Sequence, residues 1–257
     1  MVKGLYTAYT AMINEQNRMD VLTNNLANAD TNGYKKEGAT SQAFNDVLMY
    51  KIKDTSEAYK LAKNIGNGNL GVKIGENYTD YSQGSFKVTG NTFDVAIAGE
   101  GFFTIQFTNK AGETSLKYTR DGAFTLNKEG FLVTKDGDYV MGANGRIQLD
   151  PTQDAEINSM GDISQNGVVV DTIRITDFED YNYLEHYGEN YFQPVNGAEE
   201  KDPDVLIRSG YIETSNVQVV QEMVEMISTS RQYESNQKLI QTFDSTLQIV
   251  STQLGKV

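Results

Sequence analysis

Apolar side chains recur every seven residues at both ends of the chain, and that recurrence predicts a helix at each end. Leu5, Met12, Met19 and Leu26 form the first column, widened by Ala8, Tyr9 and Leu22. The second is longer: Val219, Met226, Tyr233, Ile240, Leu247 and Leu254, flanked by Val220, Met223, Ile227, Phe243 and Val250. Thr214, Ser215 and Asn216 precede it as candidate N-caps, and no Gly or Pro interrupts 211–254. A helix of roughly forty residues would run about 60 Å. Such a length is ordinary for a coiled coil and unusual inside a globular domain.

The pattern changes near Asn64-Ile65-Gly66-Asn67-Gly68. From there to about Asp204, glycines punctuate short runs rich in β-branched and aromatic residues, such as "FDVAIAG", "GFFTIQF", "GFLVT" and "GVVVDTIRITDF". Asn127-Lys128-Glu129-Gly130, Lys135-Asp136-Gly137 and Ala143-Asn144-Gly145 fall between runs, where hairpins need turns. Gly188–Pro203 reads as an irregular exit loop. The predicted class is therefore α+β: a discontinuous helical coiled-coil domain from both termini (1–66 and 205–257) with an antiparallel β domain (67–204) inserted. Neither helix can hide its stripe alone. Pairing the two, then packing pairs from several copies through a contact that does not close, builds a helical tube.

Charge follows the same division. The chain carries −13 in 257 residues. Residues 1–66 sum to +1, 67–204 to −13 and 205–257 to −1. The acidic middle repels nucleic acid and anionic lipid, whereas the electrically quiet ends suit burial against a partner. With no cysteine, no Trp and one histidine, thiolate and multi-histidine metal sites are excluded and no cofactor is expected. No apolar run is long enough to span a membrane. The opening "MVKGLYTAYTAMINEQ" lacks the apolar core of a secretory signal, so the expected route out of the cytosol, if any, needs no cleaved peptide.

Candidate chemistry is sparse. His186 in "YLEHYGENY" has no nucleophile motif near it and reads as an exposed loop histidine. Asp136, Asp138 and Asn144 lack the spacing and closing Glu of a calcium loop. "GEGFF" lacks the third glycine of a dinucleotide fingerprint. The informative stretch is instead "TNNLANADTNGYKK", residues 23–36. Asn32-Gly33 reads as a left-handed helix cap. Asn24, Asn25 and Asn28 sit around the apolar stripe, where a neutral amide can bridge packed helices and set their register without a charge to desolvate.

Four motifs resemble those of the flagellar basal-body rod proteins, a family that includes proximal-rod, distal-rod and hook members. They are Asn24-Asn25-Leu26-Ala27-Asn28 with Thr31, Gly33, Tyr34 and Lys35; Thr89-Gly90-Asn91 with Asp94, Ile97, Gly99 and Gly101-Phe102-Phe103; Tyr118-Thr119-Arg120-Asp121-Gly122 with Phe124, Gly130, Leu132-Val133, Gly137 and Gly142; and Gly210, Glu213, Ser215-Asn216-Val217, Val220, Glu222-Met223, Met226-Ile227, Arg231, Tyr233, Glu234, Asn236, Lys238, Thr242 and Asp244. Ala11 stands where the family usually has Gly, and Asp30 where it often has Asn. The resemblance implies a structural, non-enzymatic axial protein of the bacterial flagellum, exported by the flagellar type III apparatus. It further implies self-assembly into a helical tube, contact with other rod and hook proteins, and no membrane insertion. The residues expected at assembly contacts are Leu5, Met12, Met19, Asn24, Asn25, Leu26, Asn28, Gly33, Asn216, Met223, Met226, Ile227, Arg231, Tyr233, Ile240, Leu247 and Leu254, with Arg231 pairing an acidic group of a neighbour. Hook protein is the alternative within the family. Outside it stands a secreted β-rich carbohydrate-binding or hydrolytic protein, which would need paired carboxylates in a cleft.

Overall fold

The computed structural model describes residues 2–52, 62–110, 112–188 and 190–254. It divides into two units, both discontinuous in sequence: Met1–Ala27, Glu37–Asp80 and Gln218–Val257 form the first, Asn28–Lys36 and Tyr81–Val217 the second.

The first unit is built on two helices, α1 (Val2–Ala27) and α2 (Val219–Leu254), which pack against each other. Three contacts give direction and register. A Cβ on Gly4 would stand 3.0 Å from the Phe243 ring, the Gln232 amide lies 3.2 Å from the Glu15 carboxylate and donates to it when its nitrogen is turned that way, and Asn25 meets Glu222 at 3.2 Å. Each pair of residue numbers adds to 247, so the helices run antiparallel without a slip. The same spacing places Gly4, Ala8, Ala11, Glu15, Arg18, Leu22 and Asn25 along the seam. From α2, Glu222, Met226, Thr229, Tyr233, Asn236, Ile240 and Phe243 answer them. Three of the six residues of the α2 column expected from the sequence, Met226, Tyr233 and Ile240, lie in this seam. On α1 the expected column lies one position round from it, because small residues at Gly4, Ala8 and Ala11 let the helices approach and leave Leu5, Met12 and Met19 on the flank.

Among the described residues four strands complete this unit: β1 (Glu37–Ala43), β2 (Val47–Ile52), β3 (Ala62–Gly68) and β4 (Val72–Thr79). β2 pairs with β3 and β1 with β4, both antiparallel. β1 and β4 lie on α1, where Asn14 and Ser41 hydrogen-bond at 2.9 Å. The expected boundary at 66/67 thus gives way to one after Asp80. Segment 37–79 is polar and weakly alternating, so its sequence predicts no strand over most of it; β1 and β4 stay with the helices because they pack on α1.

The second unit is the antiparallel β domain. After β5 (Phe86–Val88) and β6 (Val95–Ala98), β7 (Phe102–Thr108) and β8 (Thr114–Thr119) form the centre of a ten-stranded sheet. All three turn signals join hairpins, linking strands 125–126, 132–133, 139–142 and 145–146 in series. β7 is buried on both faces from Phe102 to Ile105, and the one polar side chain there, Thr104, hydrogen-bonds to Thr176 at 3.0 Å. Phe103 and Ile105 enter a core with Val95, Ile97, Leu132, Val140 and Ile163. Phe102, on the other face, joins Tyr118, Phe178, Leu184 and Phe192.

The expected exit loop is a correction. Tyr191–Pro194 is a strand, paired with Leu184–Tyr187 and, through Phe192, with Tyr118 of β8. Its Gly, Asn and Pro residues read as loop, but burial of Phe192 in the aromatic cluster outweighs their low strand propensity. His186 is accordingly on a strand and half-buried, its ring centre 5.0 Å from that of Phe192 in an edge-to-face arrangement and its Nδ1 2.9 Å from the Gly188 carbonyl.

Candidate functional site

All four motif segments contribute to one cluster inside the second unit. The chain leaving α1 turns through Asn28–Thr31, where the Asn28 carbonyl accepts from the Thr31 amide at 3.1 Å, and then enters the β domain as Gly33-Tyr34-Lys35. Lys35 Nζ donates to Glu213 Oε1 at 2.6 Å and to the Ser82 carbonyl at 2.8 Å. The Gly84 amide donates to the same carboxylate oxygen at 2.8 Å. Arg120 Nη1 reaches the other, Oε2, at 3.3 Å, with its guanidinium 5.2 Å from the centre of the Phe102 ring. All three charged side chains are enclosed: Lys35 and Glu213 are 1% exposed and Arg120 is 3% exposed.

Two cations around one anion, out of water, hold together only because the carboxylate collects several donors. The backbone supports the cluster. Gly33 N donates to the Glu213 carbonyl at 2.8 Å, and Lys36 N to Asn216 Oδ1 at 2.7 Å. Asn216 Nδ2 in turn donates to Ser82 Oγ at 3.1 Å. Asn216 is therefore a tie between segments rather than an N-cap. Gly33 is likewise no simple helix cap. Its φ is +69°, and a Cβ would fall 2.4 Å from backbone atoms of Arg120 and Asp121. Only glycine lets the two chains touch there. Beside this contact the Asp121 carboxyl is held above the usual range by burial, against the lowering effect of the Ala123 amide and Lys135.

A second polar node lies in the helical unit. Asn25 Nδ2 donates to the Glu37 carbonyl at 2.8 Å, and Asn25 Oδ1 accepts from the Glu37 amide at 3.0 Å. The same Nδ2 reaches Glu222 Oε2 at 3.2 Å. Both side chains are fully buried. One amide thus fastens the start of β1 to α1 and fixes α1 against α2, within a single chain. Asn24, by contrast, is exposed.

The other residues expected at contacts fall into two groups. Leu5, Met12, Met19, Leu26, Met226, Tyr233 and Ile240 are half-buried along or beside the α1–α2 seam. Met223, Ile227, Arg231 and Leu247 face away from it and are exposed. The Leu254 side chain lies outside the described residues. Lys35, Arg120, Glu213 and Glu222 belong to the motifs, but the sequence pattern does not mark them as site residues. A pattern reading assigns charges to water; the signal that could have found them is a charge at a seam position, as for Glu222. Among the described residues no three His, Cys, Asp or Glu are grouped to hold a metal ion.

Comparison with known proteins matches the same segments. Residues 5–35 match the family described as flagella basal body rod protein, 96–170 the flagellar hook protein FlgE/F/G D1 domain, and 208–254 the flagellar basal body rod FlgEFG protein C-terminal family. The chain is 33% identical to the flagellar basal-body rod protein FlgG of Buchnera aphidicola subsp. Schizaphis graminum, over 98% of this chain and 99% of that one. It is 34% identical to FlgG of Bacillus subtilis, over 96% and 97%. It is also 33% identical to the rod protein FlgF of Caulobacter vibrioides, over the full length of both.

Proposed function

The chain belongs to the flagellar basal-body rod protein family and is a structural subunit of the bacterial flagellar rod, and from this premise we propose how it assembles. The helical unit is the assembly part, in which paired termini from successive copies pack as a coiled coil into a tube, with the β unit carried outside. The other flagellar rod and hook proteins are its neighbours at either end. Delivery is through the flagellar type III export apparatus, and the protein does no catalysis. The observation that carries the reading is the apolar surface left outside the α1–α2 seam. Tyr6, Tyr9 and Ile13 on α1, and Val220, Met223, Val224 and Ile227 on α2, are all exposed in the single chain. A patch of this kind on one subunit is the mark of a surface that meets another protein.

Asn25 and Glu222 then hold the register of each pair, while Met223, Ile227, Arg231 and Leu247 face neighbouring copies. Deleting the gene should abolish motility and leave basal bodies without a complete rod, and the wild-type gene should restore both. Antibody against the protein should label rods in isolated basal bodies. Full motility in the deletion strain, with no label on basal bodies, would overturn the reading.

A further inference from the structure

The helical unit carries an apolar groove and a separate row of exposed apolar side chains, and they lie far apart along the helix pair. The groove, of about 420 Å³, lies between the first turns of α1 and the β1–β2 connection. Tyr6, Phe44, Val47 and Leu70 line it, with Lys3 and Thr10 at its edge. Its walls are fixed. Phe44 N donates to the Gly71 carbonyl at 3.0 Å, and Asn69 Nδ2 to the Phe44 carbonyl at 2.6 Å. Gly71 sits so close to α1 that a Cβ would lie 2.2 Å from Thr10 Oγ1. The four lining apolar side chains are nevertheless exposed, Tyr6 at 61% and Val47 at 48%.

The second feature is a row of exposed side chains, a ridge along the outer face of α2, with a shallow dip of about 390 Å³ beside it bordered by Val224, Ile227 and Arg231. Val220, Val224 and Ile227 repeat at i, i+4 and i+7, and are 76%, 62% and 54% exposed. Arg231 continues the row by one turn, exposed and without an ion pair among the described residues. Asp46, exposed, lies in the chain between the lining residues Asn45 and Val47. A carboxylate beside the groove, next in the chain to its lining residues, can therefore meet Arg231 at the end of the ridge, although the groove's own charged lining residue is Lys3.

We propose that the groove of one copy receives the Val220–Val224–Ile227 ridge of a second copy, with Arg231 reaching Asp46. This rests on the rod reading and specifies its contact. One chain cannot make the contact with itself. In the antiparallel register Tyr6 lies opposite position 241 of α2, some 17 residues from Val224, or about 25 Å along the axis. A rod repeats its subunits by a screw operation, so successive copies point the same way. Ridge in groove is then a heterologous contact that leaves one groove and one ridge free at the ends, and it propagates. The copies it joins are staggered by that same distance of about 25 Å.

The chain has no cysteine, so introduced thiols report the contact directly. Val47→Cys and Val224→Cys are both at exposed positions and leave the core untouched. In rods isolated from cells expressing the two single variants together, oxidation should give a dimer joining position 47 to position 224. The doubly substituted chain should give a ladder extending beyond the dimer. Arg231→Asp should reduce rod number and motility, and adding Asp46→Arg should restore them. Labelled rods without a 47–224 cross-link overturn the docking while leaving the rod reading intact. So does cross-linking by Val224→Cys alone, which means a two-fold contact, or a double variant that stops at the dimer, which means a closed one. A paired charge swap that rescues nothing also counts against it. Wild-type protein absent from basal bodies overturns the rod reading, and the docking with it.

Discussion

Replacing Glu213 with Gln removes one negative charge and almost no volume from the most enclosed ion cluster in the β unit. In the native chain its two carboxylate oxygens receive Lys35, Gly84 and Arg120. The variant leaves Lys35 and Arg120 facing an amide, two cations out of water with no anion between them. Loss of one partner from such a buried pair costs about 3–5 kcal/mol. That is a large share of the roughly 5–15 kcal/mol that holds a domain folded. Lys35→Met is the informative contrast. It leaves Arg120 paired with Glu213 and the cluster neutral, so it should cost less, although the Ser82 carbonyl loses a donor. Urea unfolding of the purified protein, followed by circular dichroism and tyrosine fluorescence, measures both. The expected order is wild type, then Lys35→Met, then Glu213→Gln, with midpoints falling and slopes unchanged. A Glu213→Gln protein within about 1 kcal/mol of wild type would mean that water already shares these charges, and the enclosure argument would fail.

Gly33→Ala should cost more than about 2 kcal/mol, because the strain of positive φ adds to a clash with Arg120 backbone that cannot rotate away; an unchanged thermal midpoint would refute the contact. Asn25→Leu should strip hydrogen-exchange protection from the Glu37 amide and destabilise the helical unit by about 1–3 kcal/mol for each abandoned backbone group; retained protection would show that β1 does not depend on it. Asp121→Asn tests the raised carboxyl. A carboxyl whose folded pKa exceeds its unfolded one contributes stability below the unfolded pKa and loses it as pH rises through the folded value, so the Asn variant should be the more stable at pH 7, with the gain vanishing as the acid is protonated. A gain that persists at low pH would point to some other cause.

The elements most legible in the sequence were those whose signal is local. The hairpin turns at Gly130, Gly137 and Gly145 are sets of residues adjacent in the chain, and the α2 column repeats without a breaker. Less legible was what depends on partners far away in sequence. Nothing near Lys35 says that Glu213 awaits it, and a lysine beside another lysine reads as surface. Asn25 was recognised as a bridging amide, yet only the fold shows that it also holds the backbone of Glu37. The strands of 37–79 escaped notice because α1 supplies one side of their packing, so their own sequence carries little alternation. The α1 seam was displaced by one position because glycine and alanine, which make close approach possible, add little to a hydrophobic pattern.

The ion cluster also bears on the order in which the molecule can be completed. Asn25 and Glu222 are 197 residues apart, so closing the helix pair directly from an extended chain means closing almost the whole of it. Lys35 and Glu213, 178 apart, draw the two ends together when the β unit folds. What then remains between Asn25 and Glu222 is ten residues on one side and nine on the other, and the entropic cost of closure falls by about 2 kcal/mol. The β unit thus serves as a template on which the helices find each other, and its completion should precede theirs. A chain cut short before Glu213 loses that template, and its N-terminal helix is left without the partner it was spaced to meet.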